Sequence, residues 1–216
     1  MGIDDRSTAY IWFDLEFSSL DLDNAIILQV AVLATKTDLT PCLPGDSGLN
    51  IYVQIPADVS LSPWVEDNLK HVLDRCRSAD ARPLPELEEA LLAYLDRTVG
   101  PPHDEVKKRP VLAGNSVHND WAIARRLLPR FVARLHYRLL DVSALKIQWI
   151  DYSEGEDFEK ENEDILRANL PSSFLELDGS KHDAAYDIRA SLAELNYYRA
   201  CLLKNKIQRN ETDQDK

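Results

Sequence analysis

The segment Ala9-Tyr-Ile-Trp-Phe-Asp14 is an apolar run that ends in two acids, Asp14-Leu-Glu16, and this feature restricts the fold more than any other. A short apolar run rich in β-formers reads as a buried strand. Residues two apart in a strand point to the same side, so the two carboxylates converge at the end of an otherwise apolar element. Burying two unpaired negative charges is costly, and a bound cation is one of the few ways to offset it. The bland alternative is a solvated strand end, because Asp-x-Glu is a common tripeptide.

A turn cluster, Asp21-Leu-Asp-Asn24, leads to a second strand, Ile26-Ile-Leu-Gln-Val-Ala-Val-Leu33. Asn50-Ile-Tyr-Val53 is the third, so the chain opens as a β-meander. Helical spacing then takes over. Pro63 starts a stretch over 63–76 with Val65, Leu69, Val72 and Leu73 on one face. Residues 85–98 repeat the pattern with Leu87, Leu91 (or Leu92) and Leu95. After the polar loop Gly100–Pro110, Val111-Leu-Ala113 forms a strand that runs through Gly114-Asn-Ser116 into a helix over 119–129. Arg138-Leu-Leu-Asp-Val142 is another strand, and Ser143 is placed to cap the helix after it. The stretch Ser153–Asp164 is dense in Glu and Asp and reads as a solvated insertion or mobile loop. The last strong helix spans 183–203, with Ile188, Leu192, Leu195, Tyr198 and Leu202 on one stripe. At 216 residues without an internal repeat, one mixed α/β domain is the economical reading. It comprises an N-terminal segment 1–8, the domain 9–203 and a polar tail 204–216 expected to be disordered.

Charge narrows the partners. With 37 acidic against 25 basic residues the net charge is −12. A protein that holds long nucleic acid through its phosphates needs a basic surface, so a stable complex of that kind is excluded. A short oligonucleotide carries few phosphates, and divalent ions can neutralise the one that reacts; a nuclease is therefore compatible with this charge. No apolar run is long enough for a membrane span. The start, MGIDDRSTAY, lacks a signal pattern and carries Arg6 where myristoylation needs Ser or Thr. The chain reads as cytoplasmic. Cys42, Cys76 and Cys201 lie far apart, which suggests neither disulfides nor zinc.

Three further residues could carry chemistry. Asp120 opens a helix, where an acid alone is most simply a partner of the helix dipole. His182 and Asp187 are five apart, a rotation of about 140° on one helix, so they converge best if His182 precedes it. Asp183, one turn before Asp187, is a rival ligand, and Gly179-Ser180 supplies a flexible approach. A lone His before a helix is usually a surface or capping residue.

Taken together, Asp-x-Glu, an Asp about a hundred residues on and a terminal His-x4-Asp form a series that resembles the DEDDh branch of the 3′→5′ exonuclease superfamily. The resemblance is nearest to oligoribonuclease. Trp12-Phe-Asp-Leu-Glu-Phe-Ser-Ser-Leu20 is similar to its first motif and Gly114-Asn-Ser-Val-His-Asn-Asp120 to its second. His136-Tyr-Arg-Leu-Leu-Asp-Val-Ser143 resembles a characteristic segment of that family. His182-Asp-Ala-Ala-Tyr-Asp-Ile-Arg189, with the helix through Arg199, looks like its third motif.

The resemblance implies a ribonuclease H-like α/β fold, a mixed five-stranded sheet flanked by helices. It implies that Asp14 bridges two divalent ions, Mg²⁺ or Mn²⁺, with Glu16, Asp120 and Asp187 completing their shells. His182 would be the general base, a task for which an imidazole is suited. Leu20 looks like a wedge between bases and Trp64 like an aromatic platform. Ser116, Arg138 and Ser143 resemble a cap on a 5′ phosphate, and Tyr137 would come from the second subunit of a homodimer. The implied substrate is short single-stranded RNA, ideally a dinucleotide, released as 5′-mononucleotides. The chain departs from the family pattern at Ser18-Ser19, where Thr-Gly is usual, and at Gln29, where an acid is usual. His71 is out of register with a histidine of the phosphate cap. Two alternatives remain: another DEDDh exonuclease acting on DNA or longer RNA ends, and a catalytically silent interaction module.

Overall fold

The computed structural model describes residues 9–153, 157–171, 174 and 182–214, with side chains as far as 201. The segment 1–8 and the approach Gly179-Ser180 lie outside the described residues. A sheet of five strands is ordered β3-β2-β1-β4-β5, from β1 (Ala9–Phe17), β2 (Ile27–Lys36), β3 (Leu49–Tyr52), β4 (Val111–Gly114) and β5 (Leu139–Asp141). The first three strands are antiparallel neighbours, whereas β1, β4 and β5 run parallel, so the sheet is mixed as expected. Parallel strands end at the same edge, and the crevice beyond their carboxyl ends is where such sheets place ligands.

Alternation along β1 decides which side chains meet. Ile11, Phe13 and Leu15 enter one core layer with Leu87, Leu91 and Leu95 of α3 (Leu84–Thr98) and Ile123 and Ala124 of α4 (His118–Leu127). Trp12 faces the other way, into a layer with Ile188, Leu192 and Leu195 of α8 (Ala184–Gln214). Asp14 and Glu16 share the parity of Trp12, and therefore point to the side that α8 covers. Every residue of β2 up to Thr35 is buried, which explains why its sequence is one continuous apolar run. A smaller cluster joins Leu28 to Val65, Leu69, Val72 and Leu73.

Several elements differ from the sequence reading. The stretch 63–76 is two helices, α1 (Pro63–Asn68) and α2 (Lys70–Cys76), parted at Leu69. The helix expected over 119–129 stops at Leu127, because Pro129 cannot donate a helical hydrogen bond and starts α5 (Pro129–Val132) instead. Asp141, not Ser143, is the N-cap of α6 (Val142–Tyr152): its carboxylate accepts from the Ser143 amide. The acidic stretch is not all solvated loop, since Phe158 is buried and Asn162 caps α7 (Glu163–Asn169). The last helix, expected over 183–203, is α8 (Ala184–Gln214).

Candidate active site

Three carboxylates meet where the sheet ends. Asp14 and Glu16 come from β1 and Asp187 from the first turn of α8, and one oxygen from each lies within 4.8 Å of the others. Asp120, also expected among the ligands, stands beside this trio and outside its 4.8 Å spread. It is only 5% exposed, and its Oδ1 accepts from the Leu15 amide at 2.8 Å. Asp120 stands in the first turn of α4, and its carboxylate also ties that helix to β1 through the Leu15 amide. Asp183, the rival ligand, is occupied otherwise: its Oδ1 accepts from the Ala185 amide at 2.9 Å and caps α8.

The electrostatics follow from this crowding. Burial, together with the charges of Asp120, Asp187 and Glu16, pushes the Asp14 carboxyl well above the ordinary range. Glu16 is pushed up to about 8 by burial first and by Asp187 and Asp120 next. Asp120 reaches about 8 through burial, although the Leu15 amide works against the rise. Against these acids stands the ammonium of Lys160, which works to lower the Asp14 and Glu16 carboxyls and does not offset their rise. The site's donors are all carboxylate oxygens, a set that fits a hard divalent cation.

His182 does precede the helix. Its backbone is left-handed at φ 66°, and its amide donates to Asp187 Oδ2 at 3.1 Å. A non-glycine residue held there is strained and persists only where its surroundings impose it. The imidazole meets the Trp64 ring edge-on at 6.1 Å. His182, Trp64, Leu20 and Glu16 line one cavity of about 450 Å³, together with Phe17, Ser19, Ser62 and Val65. Leu20 is 87% exposed and Trp64 56%.

Beyond β4 and β5 a second constellation forms. The Ser116 amide donates to Ser143 Oγ at 2.9 Å and to Asp141 Oδ1 at 3.0 Å, and Ser143 Oγ donates to Asn115 Oδ1 at 3.2 Å. Ser116 is also left-handed, at φ 49°. Gly114 makes this corner possible, because a Cβ there would stand 2.8 Å from the Phe13 carbonyl oxygen. Arg138 packs over the Tyr137 ring at 5.5 Å, and Tyr137 is 61% exposed. Neither residue lines the cavity that holds Leu20 and Trp64. His71 is an exposed residue of α2.

Sequence reasoning missed three supporting residues. Gln29, fully buried and opposite Glu16 in the ladder, donates to Asn50 Oδ1 and accepts from the Ala184 amide, fixing the start of α8. A lone polar residue inside an apolar run was its available signal. Asn115 donates to Glu194 Oε2 at 2.8 Å and so ties the Ser143 corner to α8. Lys160 reaches Asp187 Oδ1 at 3.1 Å, and no local pattern pointed to it.

Comparison with known proteins places this geometry. The family described as Exonuclease (RNase_T) matches residues 11–195. A probable oligoribonuclease of Drosophila melanogaster is 31% identical over 207 residues, covering 91% of this chain and 83% of that protein. The chain belongs to the oligoribonuclease family. Other oligoribonucleases include that of Corynebacterium efficiens, 31% identical over 90% of this chain and 79% of its own, and the mitochondrial one of Homo sapiens, 28% identical over 91% and 74%. Among solved structures, E. coli Exonuclease I in complex with a 5cy-dT13 oligonucleotide superposes with a TM-score of 0.62 at 16% identity. It covers 92% of this chain, which spans only 42% of that nuclease. The cell-death related nuclease CRN-4 gives 0.61 at 16% identity, covering 90% of this chain and 64% of its own. At such identities the likeness shows the fold, a ribonuclease H-like sheet shared by this oligoribonuclease relative and larger exonucleases.

Proposed function

We infer that this chain is a 3′→5′ exoribonuclease that degrades short single-stranded RNA to 5′-mononucleotides by metal-dependent hydrolysis. The observation that carries this reading is the trio Asp14, Glu16 and Asp187 within 4.8 Å, beside buried Asp120, in a chain of the oligoribonuclease family.

Asp14, Glu16 and Asp187, with Asp120 alongside, would hold two divalent ions, Mg²⁺ or Mn²⁺. When bound, such ions supply charge stabilisation for the attacking and departing oxygens. The remaining steps belong to the protein. His182 stands where the strand-end acids open into the cavity, and its ring takes the proton from the attacking water. Leu20 wedges against a base and Trp64 stacks on one, and their exposure suits groups that await a partner. Ser116, Ser143 and Arg138 would receive the far phosphate, with the Arg138 guanidinium able to grip it in bidentate fashion. An overall charge of −12 favours a substrate with few phosphates.

A homodimer belongs to the same proposal. It is supported by exposed Ile147, Ile150 and Tyr152 on α6, and by Tyr137 just before β5. Among the described residues no helix is long and apolar enough to cross a membrane. The cysteines Cys42, Cys76 and Cys201 are free, as a reducing compartment such as the cytoplasm would keep them. The test is cleavage of 5′-labelled RNAs of two to seven nucleotides with Mg²⁺ or Mn²⁺. We expect stepwise loss from the 3′ end, fastest on the shortest. Equal rates at every length would reject the short-RNA preference, and unchanged activity in Asp14→Asn would reject the enzymatic assignment.

A further inference from the structure

We propose that Lys160 is a resident counter-cation of the carboxylate cluster, a positioning residue that holds Asp187 in the metal-free site and sets how tightly a divalent ion is taken up. This rests on the reading of Asp14, Glu16 and Asp187 as metal ligands.

Lys160 sits in the acidic stretch, with Asp157, Glu159, Glu161 and Glu163 within three residues of it. A flexible lysine in such company would pair with near neighbours. Its Nζ instead stands 3.1 Å from Asp187 Oδ1, across 27 residues of chain. The delivery is built into the fold. Phe158 is buried in the layer under α8 and packs against Tyr197 at 5.6 Å between ring centres. The Tyr186 hydroxyl donates to the Lys160 carbonyl oxygen at 3.1 Å. Asn162 then caps α7. The backbone is thus pinned before, at and after Lys160, and its side chain is 29% exposed against 14% for Asp187.

Both oxygens of Asp187 are engaged, Oδ1 by the ammonium and Oδ2 by the His182 amide. The lysine charge also acts on Asp14 and Glu16, opposing the repulsion among the acids. One ammonium cannot balance Asp14, Glu16, Asp187 and Asp120 once all four are ionised, so a divalent ion still gains by entering. An ion that shares Asp187 Oδ1 must meet the ammonium at close range, and Lys160 has to yield. The lysine therefore preserves the site before loading and weakens loading itself.

The experiment is titration calorimetry with Mn²⁺ alone on the full chain, paired with melting in chelator, for wild type, Lys160→Met, Lys160→Arg and Asp14→Asn. Lys160→Met should bind Mn²⁺ roughly tenfold tighter, an ordinary size for coupling between two ligands of one site, and should melt lower than wild type in chelator. Lys160→Arg should restore both. Mn²⁺ affinity that is unchanged or weaker in Lys160→Met would overturn the inference, as would unchanged melting in chelator. Should Lys160→Met fail to fold, Lys160→Gln makes the same comparison. Wild-type Mn²⁺ binding by Asp14→Asn would overturn the metal-ligand reading itself, a failure distinct from that of Lys160.

Discussion

The two halves of the candidate site are built on opposite principles. The acidic half sits on the sheet end and the first turn of α8, where buried strands and an adjoining helix fix each carboxylate. The half that would meet substrate is exposed: Leu20, Trp64 and Tyr137 project from a loop after β1, from a short helix and from the turn before β5. Charges that repel must be held by a rigid frame, or they would separate. Apolar side chains that await bases need only be presented. The comparison teaches that mutations in the first half should change chemistry and stability together, whereas those in the second should change affinity alone.

The strongest way to break this division is Asp14→Asn. Activity should fall by roughly 10³-fold, the scale on which electrostatic stabilisation of a transition state is lost. Melting in chelator should rise, because one member of a repelling buried group is gone. A variant that lost activity but melted lower would show that the acids are not strained in the metal-free state.

Next in size is pH. Glu16 and Asp120 titrate at about 8 in the folded protein, against ordinary values of 4.5 and 3.8. The folded state thus keeps protons that the unfolded chain has released. Their stabilising effect is complete below the ordinary range and disappears as pH rises through about 8. Thermal melts in chelator should show a steady decline over that window, and saturating Mg²⁺ should remove it. A flat profile in chelator would contradict the burial of these groups.

Trp64→Ala probes the exposed half. Loss of one base-stacking platform should raise KM on short RNA about tenfold or more, with melting unchanged. A matching fall in kcat would mean that Trp64 also places His182, whose ring it touches edge-on. Gly114→Ala tests the frame between the halves: its Cβ would collide with the Phe13 carbonyl oxygen, costing about 1–3 kcal/mol in denaturant melts. The smallest effect is expected from Ser143→Ala. It removes a hydrogen bond from Ser116 and one to Asn115, worth about 1 kcal/mol, and should raise KM a few-fold.

Much of the acidic half was legible in the chain. The two-residue spacing of Asp14 and Glu16 dictated a shared side, and the five residues between His182 and Asp187 favoured a His182 placed before the helix, where it stands. Helix breaks were less legible: the pattern over 63–76 ran through Leu69, where the structure parts two helices. Ser143 looked like a cap from its position, but Asp141 won because its carboxylate reaches the same amide. The acidic stretch misled most, since its average charge concealed Phe158, a buried anchor, and Lys160, a long-range partner.

By itself, then, the sequence determined which carboxylates would share a side and in what order they would arrive, because strand and helix periodicities are local geometry. Only the tertiary structure decided that Asp120 reaches the Leu15 amide, that Gln29 anchors α8 and that Lys160 enters the cluster. Those contacts span 105, 155 and 27 residues, and chain folding alone brings such distant groups to one place.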